Sequence, residues 1–99
     1  MRLDTAAILE RAIDTYGATT QQDKLIEEMS ELMKAILKLR YCTKPYELRI
    51  LQDAVNEEMA DVEIMLLQMK MIFNNWHEVD QQRIEKLERL RRRLDVCEK

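Results

Sequence analysis

Apolar residues recur at spacings of three and four along most of this 99-residue chain, which is the periodicity of amphipathic helices. A first helix is predicted from about Leu3 to Tyr16, and Gly17 is placed to end it. Thr19 and Gln22 have the spacing of a capping box, so a second helix is expected to begin there and to continue to about Arg40. The apolar stripe of this second helix is predicted to be Leu25, Met29, Leu32, Met33, Ile36 and Leu39.

The third helix has the most regular pattern of the chain. Residues 41–44 form the preceding connection, and Pro45 suits the first turn of a helix. Over about 25 residues, alternating spacings of three and four connect eight positions: Leu48, Leu51, Val55, Glu58, Val62, Met65, Met69 and Ile72. Seven of these eight are apolar. The exception is Glu58, a carboxylate that would be costly to bury if it were ionised and alone.

A fourth helix is predicted after an interruption at residues 74–77. Asn75 and Glu78 have the spacing of a second capping box. The apolar stripe of this helix is expected to be Val79, Leu87, Leu90, Leu94 and Cys97. Because short connections make neighbouring helices antiparallel, the second and third helices should form a hairpin. The sequence therefore predicts a single all-α, four-helix bundle-like domain over residues 1–99.

Composition supports this fold class and excludes several others. The chain has one Gly and one Pro, where average usage predicts about seven and five, so a β-sandwich, a barrel or a glycine-rich phosphate loop is not expected. The balance of 46% hydrophobic and 35% charged residues, with a net charge of −3, describes an amphipathic helical protein. An acidic pI near 5.2 argues against a nucleic-acid partner.

Other features of the sequence bear on the cellular compartment in which the protein is expected. The chain has two cysteines, which suits a reducing environment better than a disulfide scaffold. It has no apolar run near 18 residues, and its first residues carry charges where a signal peptide needs an apolar stretch. We therefore expect a cytoplasmic protein with no membrane partner.

Acidic residues form the one constellation that carries candidate chemistry. Between residues 49 and 70 every charged side chain is acidic, so nothing in that segment neutralises them. Glu58 and Asp61 are three residues apart, and the second helix repeats this spacing with Glu28 and Glu31. On antiparallel helices the two pairs are expected to converge, and converging carboxylates repel one another unless a cation joins them.

Such a set of hard oxygen ligands favours Mg²⁺ or Mn²⁺, and Mg²⁺ held in this way suits a substrate that carries phosphates. The alternative for any single pair is a solvated acidic face, since Glu is mostly an exposed residue. The position of Glu58 within the apolar stripe favours the metal site over that alternative.

The two acidic segments also resemble a known family. EEMSE at 27–31 and EEMAD at 57–61 are similar to the paired motifs of the MazG-like, all-α nucleoside triphosphate pyrophosphohydrolases. Gln22, six residues before Glu28, fits the family's Q-x(5)-E-x-x-E pattern, and KLERL at 86–90 looks like the basic segment of its last helix. The resemblance covers about residues 20–95.

This resemblance implies Mg²⁺-dependent hydrolysis of an NTP or dNTP between its α and β phosphates, to a monophosphate and pyrophosphate, in the removal of unwanted nucleotides. The metal ligands that it implies are Glu28, Glu31, Glu58 and Asp61. Glu27 and Glu28 are then the candidate catalytic residues, with Glu27 as the base. Lys38, Lys86 and Arg89 are candidate phosphate contacts, although a solvated basic face explains the last two equally well.

The sequence leaves open how the chain assembles and whether it is an enzyme. The small single-chain core and the long apolar stripes predict a homodimer or a homotetramer. Tyr16 and Trp76 are aromatic residues that could stack on a base, but an aromatic at a helix junction more often anchors packing. The alternative to an enzyme is a non-catalytic helical module, derived from the same fold, that oligomerises or binds a partner.

Overall fold

The computed structural model describes residues 3–97, and this part of the chain is built from helices without any strand. Its elements are α1 (Thr5–Tyr16), α2 (Ala18–Arg40), a short 3₁₀ turn (Pro45–Glu47), α3 (Leu48–Phe73) and α4 (Trp76–Cys97). The predicted all-α fold, with four helices, is confirmed.

Local hydrogen bonds explain where α1 begins and ends. Asp4 caps its start, because Oδ1 accepts a 3.1 Å hydrogen bond from the backbone N–H of Ala7. The helix therefore begins two residues later than predicted. Gly17 ends it as predicted: its N–H donates to the carbonyl of Ile13 at 2.8 Å, and its φ of 91° is a conformation that favours glycine.

The start of α2 differs from the predicted capping box. Gly17 alone separates α1 from α2, and its carbonyl accepts a 3.1 Å hydrogen bond from the backbone N–H of Gln21. Thr19 consequently lies inside the first turn of α2 and is not its cap. Because one glycine at positive φ redirects the chain, the next helix begins at the following residue and needs no side-chain cap.

A second left-handed residue separates α3 from α4. Asn74 has a φ of 49°, and its N–H donates to the carbonyl of Lys70. Asn75 stands just before α4 as predicted, and its carbonyl accepts a 2.9 Å hydrogen bond from Val79. However, Oδ1 of Asn75 is buried and has no hydrogen-bond partner among the described residues. The predicted capping box of Asn75 and Glu78 is therefore wrong, since the side chain of Asn75 faces the interior.

The central unit is the predicted antiparallel hairpin of α2 and α3, and α1 packs against both helices. Gln21 near the start of α2 meets Gln68 near the end of α3, whereas Glu28 meets Glu58, ten residues earlier in α3. The pairing thus runs in opposite directions, and it brings the two acidic segments together. The buried side chains are Leu9, Ala35, Met65, Met69, Gln21 and Gln68.

The inner face of α3 follows the prediction, except that Leu48 at its start is exposed. The inner face of α2 does not. Met29, Met33 and Ile36 were expected to be covered but are exposed. The row that faces the interior of the protein is instead Gln21, Leu25, Glu28, Leu32, Ala35 and Leu39. Since α2 has apolar residues on two sides, the pattern does not decide its rotation, and packing against α1 and α3 turns Glu28 inward.

The fourth helix makes hardly any contact with the other three. Val79 in its first turn is half-buried, but every residue from 80 to 97 is exposed. Apart from Val79, the predicted apolar stripe of α4 is therefore not covered by other residues of the described range 3–97. No helix in residues 3–97 is both long and apolar enough to cross a membrane.

Candidate metal centre

Three carboxylates from two helices meet in the middle of the α2–α3 hairpin. Glu28, Glu58 and Asp61 each offer an oxygen, and these three oxygens lie within 4.8 Å of one another. Glu58 and Asp61 share one face of α3 because they are three residues apart. Glu28 belongs to the inward row of α2, and only 12% of its side chain is exposed. We call these three residues the acidic triad.

The surroundings of the triad oppose full ionisation. Burial is the largest cause that raises the pKa of Glu58 above its ordinary value, and the nearby Glu28, Asp61 and Glu31 raise it further. Partial desolvation also leads the causes that raise the pKa of Asp61, followed by Glu28. One oxygen of Glu58, Oε2, is buried and has no hydrogen-bond partner among the described residues. A buried carboxylate oxygen without a donor is unfavourable unless a proton or a cation reaches it.

Lys24 is a neighbour of the triad that sequence reasoning missed. Its Nζ lies 3.2 Å from Oε1 of Glu28 and 3.6 Å from Oε1 of Glu27. These carboxylates raise the pKa of Lys24, so the lysine is held in its charged form. Its charge also lowers the pKa of Asp61 in part, against the burial and carboxylates that raise it, so α2 supplies a cation that the segment of α3 between residues 49 and 70 lacks. The spacing of four between Lys24 and Glu28 is the signal that pointed to the pair.

Glu31 lies at the edge of the triad and not within it. Its charge contributes to the raised pKa of Glu58, which places it close to the triad. Its side chain is 45% exposed and pairs with Lys34, with Nζ to Oε1 at 3.6 Å. Within the described chain, Glu31 is thus a fourth carboxylate beside a site formed by the other three.

The remaining predicted site residues lie at different distances from the acidic triad. Glu27 adjoins Glu28 but is exposed and points toward Lys24. Lys38 is exposed and stands ten residues beyond Glu28 on α2, or about 15 Å along the helix. Lys86 and Arg89 are exposed on α4, which stands apart from the hairpin. A single copy of the chain therefore does not bring Lys86 and Arg89 to the triad.

A cleft of about 510 Å³ opens beside the triad, on the side of Lys24. That volume is in the range of small-molecule sites. Its lining combines an aromatic ring, amide and hydroxyl groups, two carboxylates and one ammonium group: Tyr16, Thr20, Gln21, Asp23, Lys24, Glu27 and Met65. None of the triad residues lines the cleft, but Lys24, which pairs with Glu28, does. Trp76 is elsewhere, with Nζ of Lys70 at 5.3 Å from its ring centre.

The residues of the triad fit a divalent cation with oxygen ligands. Carboxylates at these separations match the preferences of Mg²⁺ and Mn²⁺, which keep several positions for water or substrate. A cation there would also give the buried oxygen of Glu58 the partner that it lacks among the described residues.

Comparisons with protein-family models, with curated proteins and with solved structures give no significant match. The case for a function consequently depends on the geometry of the triad and cleft. The likeness of segments 27–31 and 57–61 to the MazG-like family remains a prediction from the sequence.

Proposed function

We propose that this protein is a Mg²⁺-dependent nucleoside triphosphate pyrophosphohydrolase, with Mn²⁺ as a substitute ion. It cleaves an NTP or dNTP between the α and β phosphates, to a monophosphate and pyrophosphate, and so removes unwanted nucleotides. The observation that carries the proposal is the meeting of Glu28, Glu58 and Asp61 across two antiparallel helices, with a buried oxygen of Glu58 that no donor within residues 3–97 reaches.

Each acidic residue has a part in this proposal. Glu28, Glu58 and Asp61 hold the ion through carboxylate oxygens, and Glu31 at the edge is the fourth ligand. When bound, Mg²⁺ neutralises phosphate oxygens and lowers the pKa of a coordinated water. Glu27 lies beside Glu28 but outside the triad, with Oε1 3.6 Å from Nζ of Lys24. In this proposal its carboxylate accepts the proton of the attacking water.

The cleft supports the same proposal because it leaves room for the rest of a nucleotide. Tyr16 presents an exposed ring at its wall, suitable for stacking on a base. Lys24 adjoins both the cleft and Glu28, so it is the best-placed cation for a phosphate. Lys38, Lys86 and Arg89 remain proposed phosphate contacts, and the two on α4 require a second copy of the chain or a movement of that helix.

The test is a panel of canonical and modified NTPs and dNTPs incubated with the purified protein and Mg²⁺. Pyrophosphate and monophosphate are the expected products, and EDTA should abolish their formation. Glu58→Gln should remove activity, whereas Glu63→Gln, the same change at an exposed position of α3, should keep it. Release of orthophosphate as the first product would show that another bond is cut, and the absence of any turnover would reject the enzyme.

A non-catalytic helical module that oligomerises or binds a partner is the second candidate. It is favoured by the apolar side of α2 that the fold leaves exposed: Ile26, Met29, Met33, Ile36 and Leu37. This surface also supports a proposed homodimer or homotetramer under either function, because exposed apolar patches commonly mark interfaces. Light scattering at micromolar concentration should give a mass above that of one 11.9 kDa chain.

The proposal places the protein in the cytoplasm and includes no nucleic-acid partner. Cys42 and Cys97 are free thiols, which suits a reducing compartment. Nucleoside triphosphates are also found there, so enzyme and substrate share a compartment under this proposal.

A further inference from the structure

The cleft beside Lys24 is lined by one polar side chain that is almost completely buried. Gln21 is 7% exposed, and it lines the cleft together with Met65 of α3. An amide has a donor end and an acceptor end, and a buried one has to find a partner for each of them. The orientation of this amide therefore decides which hydrogen bond the cleft offers to a bound molecule.

A chain of hydrogen bonds fixes that orientation. It begins at Met65, because a thioether sulfur accepts a hydrogen bond but does not donate one. Nε2 of Gln68 donates to this sulfur at 3.5 Å, which leaves Oε1 of Gln68 to accept from Nε2 of Gln21 at 2.7 Å. The end of the Gln21 amide that remains is its carbonyl oxygen, Oε1. Met65 thus determines, through Gln68, that Gln21 offers an acceptor.

This carbonyl oxygen is accessible from the cleft. Within residues 3–97, the polar side-chain atoms that are fully buried and lack a partner belong to Glu58 and Asn75. Oε1 of Gln21 also has no partner in that range but is not fully buried, so it keeps contact with the surroundings of the protein. Because Gln21 lines the cleft, the cleft is where a bound molecule meets this acceptor.

The other polar groups of the cleft favour a ligand that donates hydrogen bonds. Asp23 and Glu27 add two carboxylates to the lining, whereas the ammonium group of Lys24 is already paired with Glu27 and Glu28. A ligand that placed a carbonyl oxygen against Oε1 of Gln21 would bring two acceptors together and leave both without a donor. An amino group at the same point would satisfy Oε1.

The position of Gln21 along α2 indicates which part of a nucleotide it meets. Gln21 lies seven residues before Glu28, or about 10 Å along the helix. If the phosphates lie at the triad, as the proposed function requires, the ribose and the base extend along the cleft toward Gln21. The exposed ring of Tyr16 stands at the same end of the cleft. The placement of the base therefore rests on the proposed function.

We propose that Gln21 is a specificity residue, which selects nucleotides whose base has an amino group at C4 of a pyrimidine or C6 of a purine. Cytosine and adenine have a donor at this point, whereas uracil, thymine, guanine and hypoxanthine have a carbonyl oxygen. Gln68 and Met65 are positioning residues, since they act by fixing the amide of Gln21. The preferred substrates are thus cytidine and adenosine triphosphates, in the ribose or the deoxyribose series.

Matched substrate pairs test this selection in the unaltered protein. CTP and UTP, or ATP and ITP, differ by the exchange of this amino group for a carbonyl. Because the exchange leaves buried acceptors unpaired, kcat/KM should be at least about tenfold higher for the amino member of each pair. Equal values, or a preference for the carbonyl member, in either pair would overturn the proposal.

The Gln68→Leu variant tests the hydrogen-bond chain. Without Gln68 the amide of Gln21 is free to turn and to offer either end, so the CTP-to-UTP ratio of kcat/KM should fall toward one. Both substrates are measured on the same sample, so a loss of folded protein does not change this ratio. Gln52→Leu, the same change at an exposed position of α3, should keep it. An unchanged ratio in Gln68→Leu would reject the chain.

The Met65→Leu variant makes the smaller change at the start of the chain. It removes the sulfur acceptor with little change in volume, so it gives a folded protein even where Gln68→Leu does not. Its CTP-to-UTP ratio should also fall below that of the unaltered protein. A ratio that stays the same would show that Met65 does not orient the amides.

Binding of nucleosides separates this proposal from the enzyme. Cytidine and uridine have no phosphates, and calorimetric titration in EDTA measures their binding without metal or turnover. Tighter binding of cytidine supports the selection by Gln21 even if no nucleotide is hydrolysed, in which case the enzyme alone is rejected. Hydrolysis of CTP and UTP at equal rates would keep the enzyme and reject the selection.

Discussion

Gln21 and Gln68 join α2 to α3 through a buried hydrogen bond, in which Nε2 of Gln21 donates to Oε1 of Gln68 at 2.7 Å. The other end of the Gln68 amide is also engaged, since its Nε2 lies 3.5 Å from Sδ of Met65. Both glutamines are buried in a small core whose other buried side chains are apolar. The pair lies two helical turns from Glu28 along α2, so it holds the hairpin in the alignment that brings the acidic triad together.

Breaking this pair should therefore destabilise the fold. Gln21→Leu leaves the amide of Gln68 buried without its partner, and we expect the free energy of unfolding to fall by about 1–3 kcal/mol. The double variant with Gln68→Leu should recover part of this loss, because no orphaned amide remains. Urea denaturation measures both values, with Gln52→Leu as a control at an exposed position of α3. If the double variant loses the sum of the single effects, the two amides do not act as a pair.

The Glu58→Gln variant distinguishes a metal-binding role of Glu58 from a purely structural one. The amide keeps the shape of the side chain but removes one partly buried charge from the triad. We expect activity to be abolished, the metal-free stability at pH 7 to stay equal or rise, and the Mg²⁺-dependent increase in melting temperature to shrink. Thermal melts with and without Mg²⁺ give the last two quantities. A variant that is active but less stable without Mg²⁺ would show that Glu58 has only a structural role.

The metal-free protein should lose stability as the pH rises. The pKa values of Glu58 and Asp61 are raised in the folded state, so these groups favour folding below their unfolded pKa values of about 4. That contribution disappears as the pH rises from about 4 through the raised folded values. Melting temperatures in EDTA should therefore fall across this window, and less so in Glu58→Gln. A melting temperature that climbs steadily from pH 4 to 7 in both proteins would contradict the raised pKa values.

Lys24 should compete with the metal for Glu28. Because its ammonium group already pairs with this carboxylate, Lys24→Met should strengthen binding of Mg²⁺ alone and lower the metal-free stability at pH 7. Solvent screens this partly exposed pair, so the dissociation constant for Mg²⁺ should fall by no more than about fivefold. Calorimetric titration measures it, with Lys34→Met as the control because Lys34 pairs with Glu31 at the edge. Weaker Mg²⁺ binding in Lys24→Met would mean that Lys24 organises the site and does not compete.

The predictions from sequence succeeded where local chemistry decides. Apolar spacing identified the helices, Gly17 marked the end of α1, and the inner face of α3 followed from one unbroken stripe. The spacing of three between Glu58 and Asp61 was enough to place them on one face. Glu28 was also predicted to join them, because helices with a short connection run antiparallel.

Other features of the site depend on how whole helices are turned. α2 has apolar residues on two sides, and only its contact with α1 and α3 selects the row that contains Gln21 and Glu28 and exposes Met29 and Met33. The same rotation turns Glu28, with Lys24 beside it, toward α3 and leaves Glu31 at the edge. Which side chains meet across two helices therefore depends on how each helix is rotated about its axis. An apolar stripe that is several residues wide is compatible with more than one rotation, so the sequence pattern does not select one.

The sequence by itself determined that the chain is helical, where its helices end and which carboxylates share a face, because these follow from dihedral preferences and a period of 3.6 residues. Tertiary structure alone decided that Glu58 has a buried oxygen with no donor in the described part of the chain, that a cleft opens beside Lys24, and that α4 stands apart with its stripe exposed. Burial is a property of what surrounds a side chain. A linear pattern shows which residues can be covered, but only packing in three dimensions selects those that are.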